Sequence, residues 1–224
     1  ASIFFVTYLV LMYVATRDAR YLGLGLGAGS LAAVVAYKLF SHVQARVIAW
    51  KDPLAVIDKQ GYQVSQSLFA IGTGGWFGLG HFQGMPNMIP VADEDFVFAA
   101  ISEELGGVFA ICVILVCACC YLMFLNIAMQ IHERFYKLIA LGLGTTYGFQ
   151  VFLTIGGVIK FIPSTGVTLP LVSYGGSSLL STFIIFAVIQ GLYIIREDEI
   201  IDGEKENISR RTNRTGRRGK RTAE

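Results

Sequence analysis

The chain has 224 residues, of which 54% are hydrophobic and 15% are charged, with a formal net charge of +2. The mean hydropathy of +0.59 excludes an ordinary soluble domain, because the apolar residues are gathered in long blocks. All four cysteines lie within one such block, where free cysteine behaves as a small hydrophobe, so they indicate neither a disulfide framework nor a metal site.

Five apolar blocks predict membrane-spanning helices, since a span needs about 20 mainly apolar residues. The first block is short and the other four reach or approach that length: Ile3–Thr16, Tyr21–Phe40, Val108–Met129, Leu138–Ile162 and Leu171–Ile195. The predicted fold is therefore an all-α polytopic membrane protein with about five transmembrane helices in residues 1–195. The chain begins inside the first block without a basic n-region or a cleavage site, which favours the C-terminal part of a longer protein over a signal peptide.

Charge placement predicts the orientation of these helices. If the five blocks alternate across the bilayer, thirteen of the 18 Lys and Arg residues fall on one side, which the positive-inside tendency assigns to the cytoplasm. Residues 41–105 then form a large extracytoplasmic loop, and residues 196–224 form a basic cytoplasmic tail. This tail carries no large apolar core and is predicted to be disordered. Beside a membrane helix, contact with anionic lipids explains it more simply than nucleic-acid binding.

The external loop contains two polar features of interest. Residues 49–60 are predicted to be irregular, whereas Tyr62–Ile71 alternates polar and apolar residues and predicts a short amphipathic helix at the membrane surface. Its polar side chains include Gln63, Gln66 and Ser67. Glycines from position 72 onward are expected to break the helix. A loop of this length with many aromatic and aliphatic residues indicates function rather than disorder.

The stretch VADEDFVFAAISEELGG, residues 91–107, places five carboxylates against an apolar helix. Asp93 and Glu94 suit a helix start, because carboxylates are stabilised near unpaired N–H groups. Asp95 directly precedes the apolar residues 96–98, which predicts a raised pKa and a better proton acceptor. Glu103 and Glu104 lie two turns further into the helix, where ionisable groups usually line a cavity or take part in chemistry.

The last apolar block opens with the run SYGGSS after a loop containing Pro163, Gly166 and Pro170. Glycine and hydroxyl residues at this depth fit two interpretations, tight helix packing or a cavity-lining helix start. The residues alone thus indicate a polytopic membrane protein with an external polar cavity.

Three stretches together resemble the SEDS family (shape, elongation, division and sporulation), which includes FtsW, RodA and SpoVE. They are GYQVSQSLFAIGTGGWFGLG, DEDFVFAAISEELG and PSTGVTLPLVSYGGSSLL, in the family's order and spacing. The resemblance implies a bacterial inner-membrane protein of ten helices, of which this chain holds the last five and the loop between helices seven and eight. The basic tail resembles the division member slightly more than the others.

The resemblance also implies an activity. Family members are peptidoglycan glycosyltransferases that polymerise lipid II and work with a class B penicillin-binding protein and other divisome or elongasome membrane proteins. Asp95 matches the family's essential aspartate and is the expected catalytic base. A divalent cation is an open expectation without an assigned site. The residues expected to bind substrate or to support the site are Glu103, Glu104, Gln63, Gln66, Ser67, Ser173, Tyr174, Gly175, Gly176, Ser177 and Ser178.

The chain also departs from the family pattern. Asp93-Glu94 stands where His-Thr is usual, Leu79 replaces a common basic residue, and Thr154 replaces a usual Asn. These changes put in doubt the transfer of substrate-binding roles to those positions. Taken alone, the chain is expected to be inactive. Two alternatives stay open: a lipid II flippase, which would need ionisable groups in mid-membrane, and a non-enzymatic division scaffold.

Overall fold

The computed structural model describes residues 2–221 and, beyond residue 198, the side chains of residues 201 and 205 only. Every regular element in this range is helical, as the sequence predicts. Seven α-helices follow one another, with a short 3₁₀ helix, Pro86–Met88, between the fourth and the fifth: α1 Ser2–Thr16, α2 Ala19–Leu39, α3 Ser41–Lys51, α4 Tyr62–Gly74, α5 Val97–Gln130, α6 Arg134–Val158 and α7 Gly176–Arg221.

Four helices in the described part of the chain are long and apolar enough to cross a membrane: α2, α5, α6 and the Gly176–Asp198 part of α7. The apolar helix α1 has 15 residues and is shorter. These five helices correspond to the five predicted blocks. The chain is a multi-pass helical membrane protein, and its polar segments alternate between the two ends of the helices.

Rings from three spans hold the bundle together away from the long segment between α2 and α5. Phe124 of α5, Tyr147 of α6 and Phe186 of α7 meet edge to face, with ring centroids 5.0–5.7 Å apart. Such aromatic contacts add to the energy of close packing. In a membrane, where helices gain little from apolar burial, close packing of this kind fixes their relative positions.

Helix α5 begins eleven residues before its predicted apolar block and contains a kink. Gly106 has φ 83° and ψ 171°, which is outside the helical region. The kink frees the carbonyl groups of Glu103 and Glu104 from the helix, and these accept hydrogen bonds from the N–H groups of Leu79 and Gly80, both at 3.0 Å. The glycine-rich loop after α4 is therefore attached to α5 at the kink.

The segment between α2 and α5 is more helical than the sequence predicts. Residues 41–51 form α3, so the first three residues of the predicted irregular stretch 49–60 are helical, while residues 52–60 form turns as predicted. Helix α4 is confirmed as a short helix, and it packs against α5 and α6. Its residues Ser65 and Ser67 are fully buried.

Two loops meet at the same end of the helices. The Trp50 indole N–H donates to the carbonyl of Lys160 at 3.1 Å, and the Tyr174 N–H donates to the carbonyl of Asp93 at 2.7 Å. The segment between α2 and α5 is thus attached to the loop between α6 and α7. This contact positions the polar site described below.

The end of α7 differs from the sequence prediction of a disordered tail from residue 196. The described backbone stays helical to Arg221. Residues 196–221 contain no proline, and acidic residues precede basic ones along the segment, an order that favours a helix through its dipole. At the start of this extension, the Arg196 guanidinium lies 4.6 Å from the centre of the Tyr193 ring.

Candidate functional site

Asp95 is held by buried aromatic neighbours at the start of α5. Phe96 is 1% exposed and Phe98 is 3% exposed, and both belong to a core cluster that includes residues of α4, α6 and the α6–α7 loop. Because these rings anchor the chain on both sides of Val97, the backbone at Asp95 has little freedom. Its carboxylate is half-buried beneath α3 and α4.

The Asp95 carboxylate lines a cavity of about 270 Å³. Helix α3 supplies one wall, the start of α4 the second, and the α6–α7 loop the third. The residues around it are His42, Ala45, Arg46, Ala49, Gln60, Gln63, Val64, Asp95 and Ser164. The cavity thus combines one acid, one permanent cation and several neutral hydrogen-bonding groups, which suits a polar substrate.

Arg46 approaches Asp95 across Gly166. The guanidinium donates from Nη1 to the carbonyl of Ser164 at 3.1 Å, which fixes its position. A Cβ at Gly166 would lie 3.4 Å from Arg46 Nη2 and 3.7 Å from Asp95 Oδ2, so both charged groups approach this glycine. Gly166 also has φ +65°, a conformation that favours glycine. A side chain here would strain the loop backbone.

The surroundings make Asp95 a stronger base than an exposed aspartate. Burial raises the pKa of its carboxyl, a hydrogen bond from its own backbone N–H lowers the pKa, the neighbouring charge of Glu94 raises it, and the charge of Arg46 lowers it. The net direction is upward. A carboxylate with a raised pKa, partly withdrawn from water, is suited to accept a proton from a hydroxyl group.

Gln63 is the predicted supporting residue that the structure brings to Asp95, whereas Gln66 and Glu103 line a separate cavity of about 160 Å³. Glu103 is 6% exposed, and its Oε2 atom is buried without a hydrogen-bond partner. Glu104 is half-buried, with Oε2 3.3 Å from Nδ1 of His81. The two glutamates therefore lie beside α4 and the glycine-rich loop rather than in the Asp95 cavity.

The hydroxyl of Ser67 is inside the protein, where it donates to the carbonyl of Val64 at 2.8 Å and contacts that of Val158 at 3.4 Å. With its side chain fully buried, it joins α4 to α6. This position gives Ser67 a packing role and leaves it no access to the cavity.

The SYGGSS run, residues 173–178, forms the entry to α7. Ser173 Oγ accepts from the N–H of Leu169 at 2.8 Å, and the hydroxyls of Ser178 and Thr168 are 2.6 Å apart. Tyr174 is 76% exposed, and Gly176 and Ser177 are also exposed. None of the six lines the Asp95 cavity in the described structure. This arrangement is a helix entry held by local hydrogen bonds, and it does not decide between the two interpretations left open by the sequence.

Arg46 and His42 are site residues whose role the sequence reasoning did not identify. They lie on one face of α3 with Ala45 and Ala49, at the i, i+4 and i+3, i+7 spacing of a helix. That spacing could have revealed the face if residues 41–51 had been read as a helix. In the described part of the chain, no group of three or more His, Cys, Asp or Glu side chains forms a metal site. The divalent cation therefore stays a prediction without a ligand set.

Comparisons with known proteins agree on one family. Residues 1–197 match the family model described as "Cell cycle protein", FtsW/RodA/SpoVE. The chain is 41% identical over 185 residues to "Peptidoglycan glycosyltransferase RodA" of Mycobacterium tuberculosis (strain ATCC 25618 / H37Rv), covering 83% of this chain and 39% of that protein. It is 38% identical over 184 residues to "Probable peptidoglycan glycosyltransferase FtsW" of Aeromonas salmonicida, covering 80% and 46%. It is 35% identical over 189 residues to "Stage V sporulation protein E" of Bacillus subtilis, covering 81% and 50%.

A solved structure gives the same result for the fold. The chain superposes with a TM-score of 0.68 and 26% identity on a chain from "Structural coordination of polymerization and crosslinking by a peptidoglycan synthase complex", covering 85% of this chain and 53% of that one. The chain thus spans half or less of the length of these three relatives. Because relatives named RodA, FtsW and SpoVE all match, the preference for the division member is not resolved.

Proposed function

Because this chain belongs to the FtsW/RodA/SpoVE family of cell cycle proteins, we propose that it carries the catalytic base of a peptidoglycan glycosyltransferase that polymerises lipid II. Relatives named as peptidoglycan glycosyltransferases support the reaction class. The observation that carries the proposal is the half-buried Asp95 carboxylate, with a raised pKa, in a polar cavity beside Arg46.

In the proposed reaction, Asp95 takes the proton from the 4-hydroxyl of the acceptor GlcNAc. The resulting oxygen forms a bond to the anomeric carbon of the donor MurNAc while the bond from that carbon to the pyrophosphate oxygen breaks. Undecaprenyl pyrophosphate leaves and the anomeric centre is inverted. Pyrophosphate leaves as an anion without needing a proton, so one carboxylate is sufficient as base.

In this proposal, Arg46 stabilises the leaving group. Negative charge develops on the leaving pyrophosphate, and a guanidinium held in place by the Ser164 carbonyl can stabilise that charge without reorganising. A planar guanidinium also binds phosphate oxygens in pairs. Base and cation thus both lie close to Gly166 and both line the cavity in which the reacting sugar would bind.

The proposed setting follows from the orientation of the helices. We place the protein in the bacterial inner membrane with residues 41–105 outside and the C-terminal segment in the cytoplasm, as the charge distribution favours. Lipid II would then present its sugars at the Asp95 end of the helices. A class B penicillin-binding protein is the proposed partner, with other divisome or elongasome membrane proteins, and the synthase complex that contains the structural relative supports such a pairing.

The test is polymerisation of fluorescent lipid II by the protein, expressed from its full gene and reconstituted with its partner transpeptidase. We expect Asp95→Asn to slow polymerisation by roughly 10²-fold or more, which is the usual contribution of a general base. Asp93→Asn, an exposed carboxylate two residues away, is the matched control and should retain activity. Equal rates for Asp95→Asn and the wild type would refute the assignment. Translocation of lipid II without polymerisation by the wild type would favour the flippase.

A further inference from the structure

A second polar cavity, of about 630 Å³, lies at the end of the helices opposite Asp95. It is formed where α1 ends and α6 begins, together with the α1–α2 and α5–α6 turns. The residues around it are Tyr13, Val14, Ala15, Thr16, Arg17, His132, Arg134, Lys137 and Leu138. The proposed glycosyl transfer makes no use of this cavity.

The cavity is strongly cationic. Arg17, Arg134 and Lys137 contribute three permanent positive charges, and no carboxylate lines the cavity among the described residues. Two acids adjoin the lining residues in sequence: Glu133 is exposed and does not line the cavity, and the Asp18 carboxylate already accepts from the Arg20 backbone N–H at 3.0 Å and from Arg20 Nε at 3.0 Å. The three cations therefore have no neutralising partner within the cavity wall.

The cavity is also amphipathic. Tyr13, Val14 and Leu138 line its apolar side, and they belong to the last turns of α1 and the first turns of α6. The cations lie at and beyond the helix ends. A ligand that fits both parts has an anionic group at the membrane surface and an apolar portion directed along the helices. That is the chemistry of an anionic phospholipid, and basic pockets between transmembrane helices bind such headgroups.

We propose that this cavity binds one anionic phospholipid of the inner leaflet. Arg17, Arg134 and Lys137 hold the phosphate, and the upper part of the acyl chains lies along Val14 and Leu138. A guanidinium pair suits phosphate because it donates several parallel N–H bonds. The bound lipid would connect the end of α1 to the start of α6. The proposal depends on the orientation of the helices and is independent of the role of Asp95.

The test is native mass spectrometry of the protein, expressed from its full gene and released from detergent, with phosphatidylglycerol or phosphatidylcholine added in increasing amounts. We expect one phosphatidylglycerol to bind in preference to phosphatidylcholine. Each of Arg17→Gln and Arg134→Gln should weaken that binding about fivefold, and the double variant about 25-fold. The matched control is Asp18→Asn/Arg20→Gln, which removes an ion pair outside the cavity without releasing the Asp18 carboxylate beside Arg17.

Ala15→Phe tests the cavity without changing any charge, because the ring would occupy the space of the lipid. It should weaken phosphatidylglycerol binding as strongly as the double variant, with the unfolding temperature unchanged. Equal binding of both lipids, an equal loss in the Asp18→Asn/Arg20→Gln control, or unchanged binding in Ala15→Phe would overturn the proposal. The last measurement is competition with inorganic phosphate. If phosphate displaces phosphatidylglycerol at equal concentration, the site binds soluble phosphate instead of a lipid.

Discussion

Replacing Gly106 with alanine should detach the glycine-rich loop from α5. At φ 83° and ψ 171°, Gly106 occupies a backbone region that is almost exclusive to glycine. A Cβ there would lie 2.4 Å from the N atom of Gly78 and 2.6 Å from the carbonyl oxygen of Trp76. Both are backbone atoms, so no side chain can rotate away to relieve the clash.

The cost follows from the bonds at the kink. Backbone strain for a non-glycine residue in this region costs about 1–3 kcal/mol. If the loop moves away instead, four backbone hydrogen bonds are lost, donated by Leu79, Gly80, Gly107 and Val108 at 2.8–3.2 Å. At about 1 kcal/mol each, they represent about 4 kcal/mol. We therefore expect the loop to open about 5- to 140-fold more often, since the strain destabilises the attached loop by about 1–3 kcal/mol and each factor of ten corresponds to about 1.4 kcal/mol.

Hydrogen exchange of those four amide groups, followed by mass spectrometry, measures this opening directly. Gly72→Ala is the matched control, because no atom lies within 4 Å of the position of its Cβ and the residue is in a regular helix. Alanine should leave that helix unchanged or stabilise it by up to about 1 kcal/mol. Wild-type exchange in Gly106→Ala would show that the kink does not hold the loop, and the reasoning would fail.

Two further predictions concern the Asp95 cavity. Because the base must be deprotonated to act, a raised pKa of Asp95 places the acidic limb of the pH–rate profile above that of an ordinary aspartate. Glu94→Gln removes a charge that raises the pKa of Asp95, so it should move the acidic limb to lower pH. Arg46→Gln removes a charge that lowers this pKa, so it should move the limb to higher pH. Shifts of the two variants in the same direction would contradict this electrostatic explanation. Ser67→Ala removes a buried hydrogen bond, so it should lower the free energy of unfolding by about 1 kcal/mol and leave the KM for lipid II unchanged. Gln63→Ala removes a side chain that lines the cavity, so it should raise that KM by roughly three- to tenfold. A raised KM in Ser67→Ala would place its hydroxyl at the substrate.

The spans could be predicted because length and hydropathy alone determine them. A bilayer requires about 20 apolar residues whatever the neighbours are, so α2 and α6 begin and end within four residues of the predicted limits. Helix α5 extends further because its first residues are mixed in polarity, and a scan for apolar runs stops where Glu103 and Glu104 appear. The helical form of those residues depends on packing against α4, which hydropathy does not report.

Single residues of the site could be predicted from the sequence, but their arrangement in space could not. Asp95 is recognisable from its own neighbours in sequence, because Phe96 and Phe98 both exclude water from it and anchor it. Arg46 lies 49 positions earlier and reaches Asp95 through the tertiary contact between α3 and the α6–α7 loop. Likewise, Ser67 appears in an alternating polar pattern, yet its side chain points into α6. A sequence pattern gives the face of a helix, whereas only packing determines what that face meets.

The electrostatic role of the acidic stretch before α5 becomes clear once the position of Arg46 is known. The family commonly has His-Thr where this chain has Asp93-Glu94, which at first suggests a disturbed site. Both carboxylates are exposed, and Glu94 acts on Asp95 by raising its pKa while Arg46 acts in the opposite direction. The proton affinity of the base is therefore a balance between one residue of the acidic stretch and one of α3. A change at position 94 alters the pH at which the base is available and leaves the geometry of Asp95 intact.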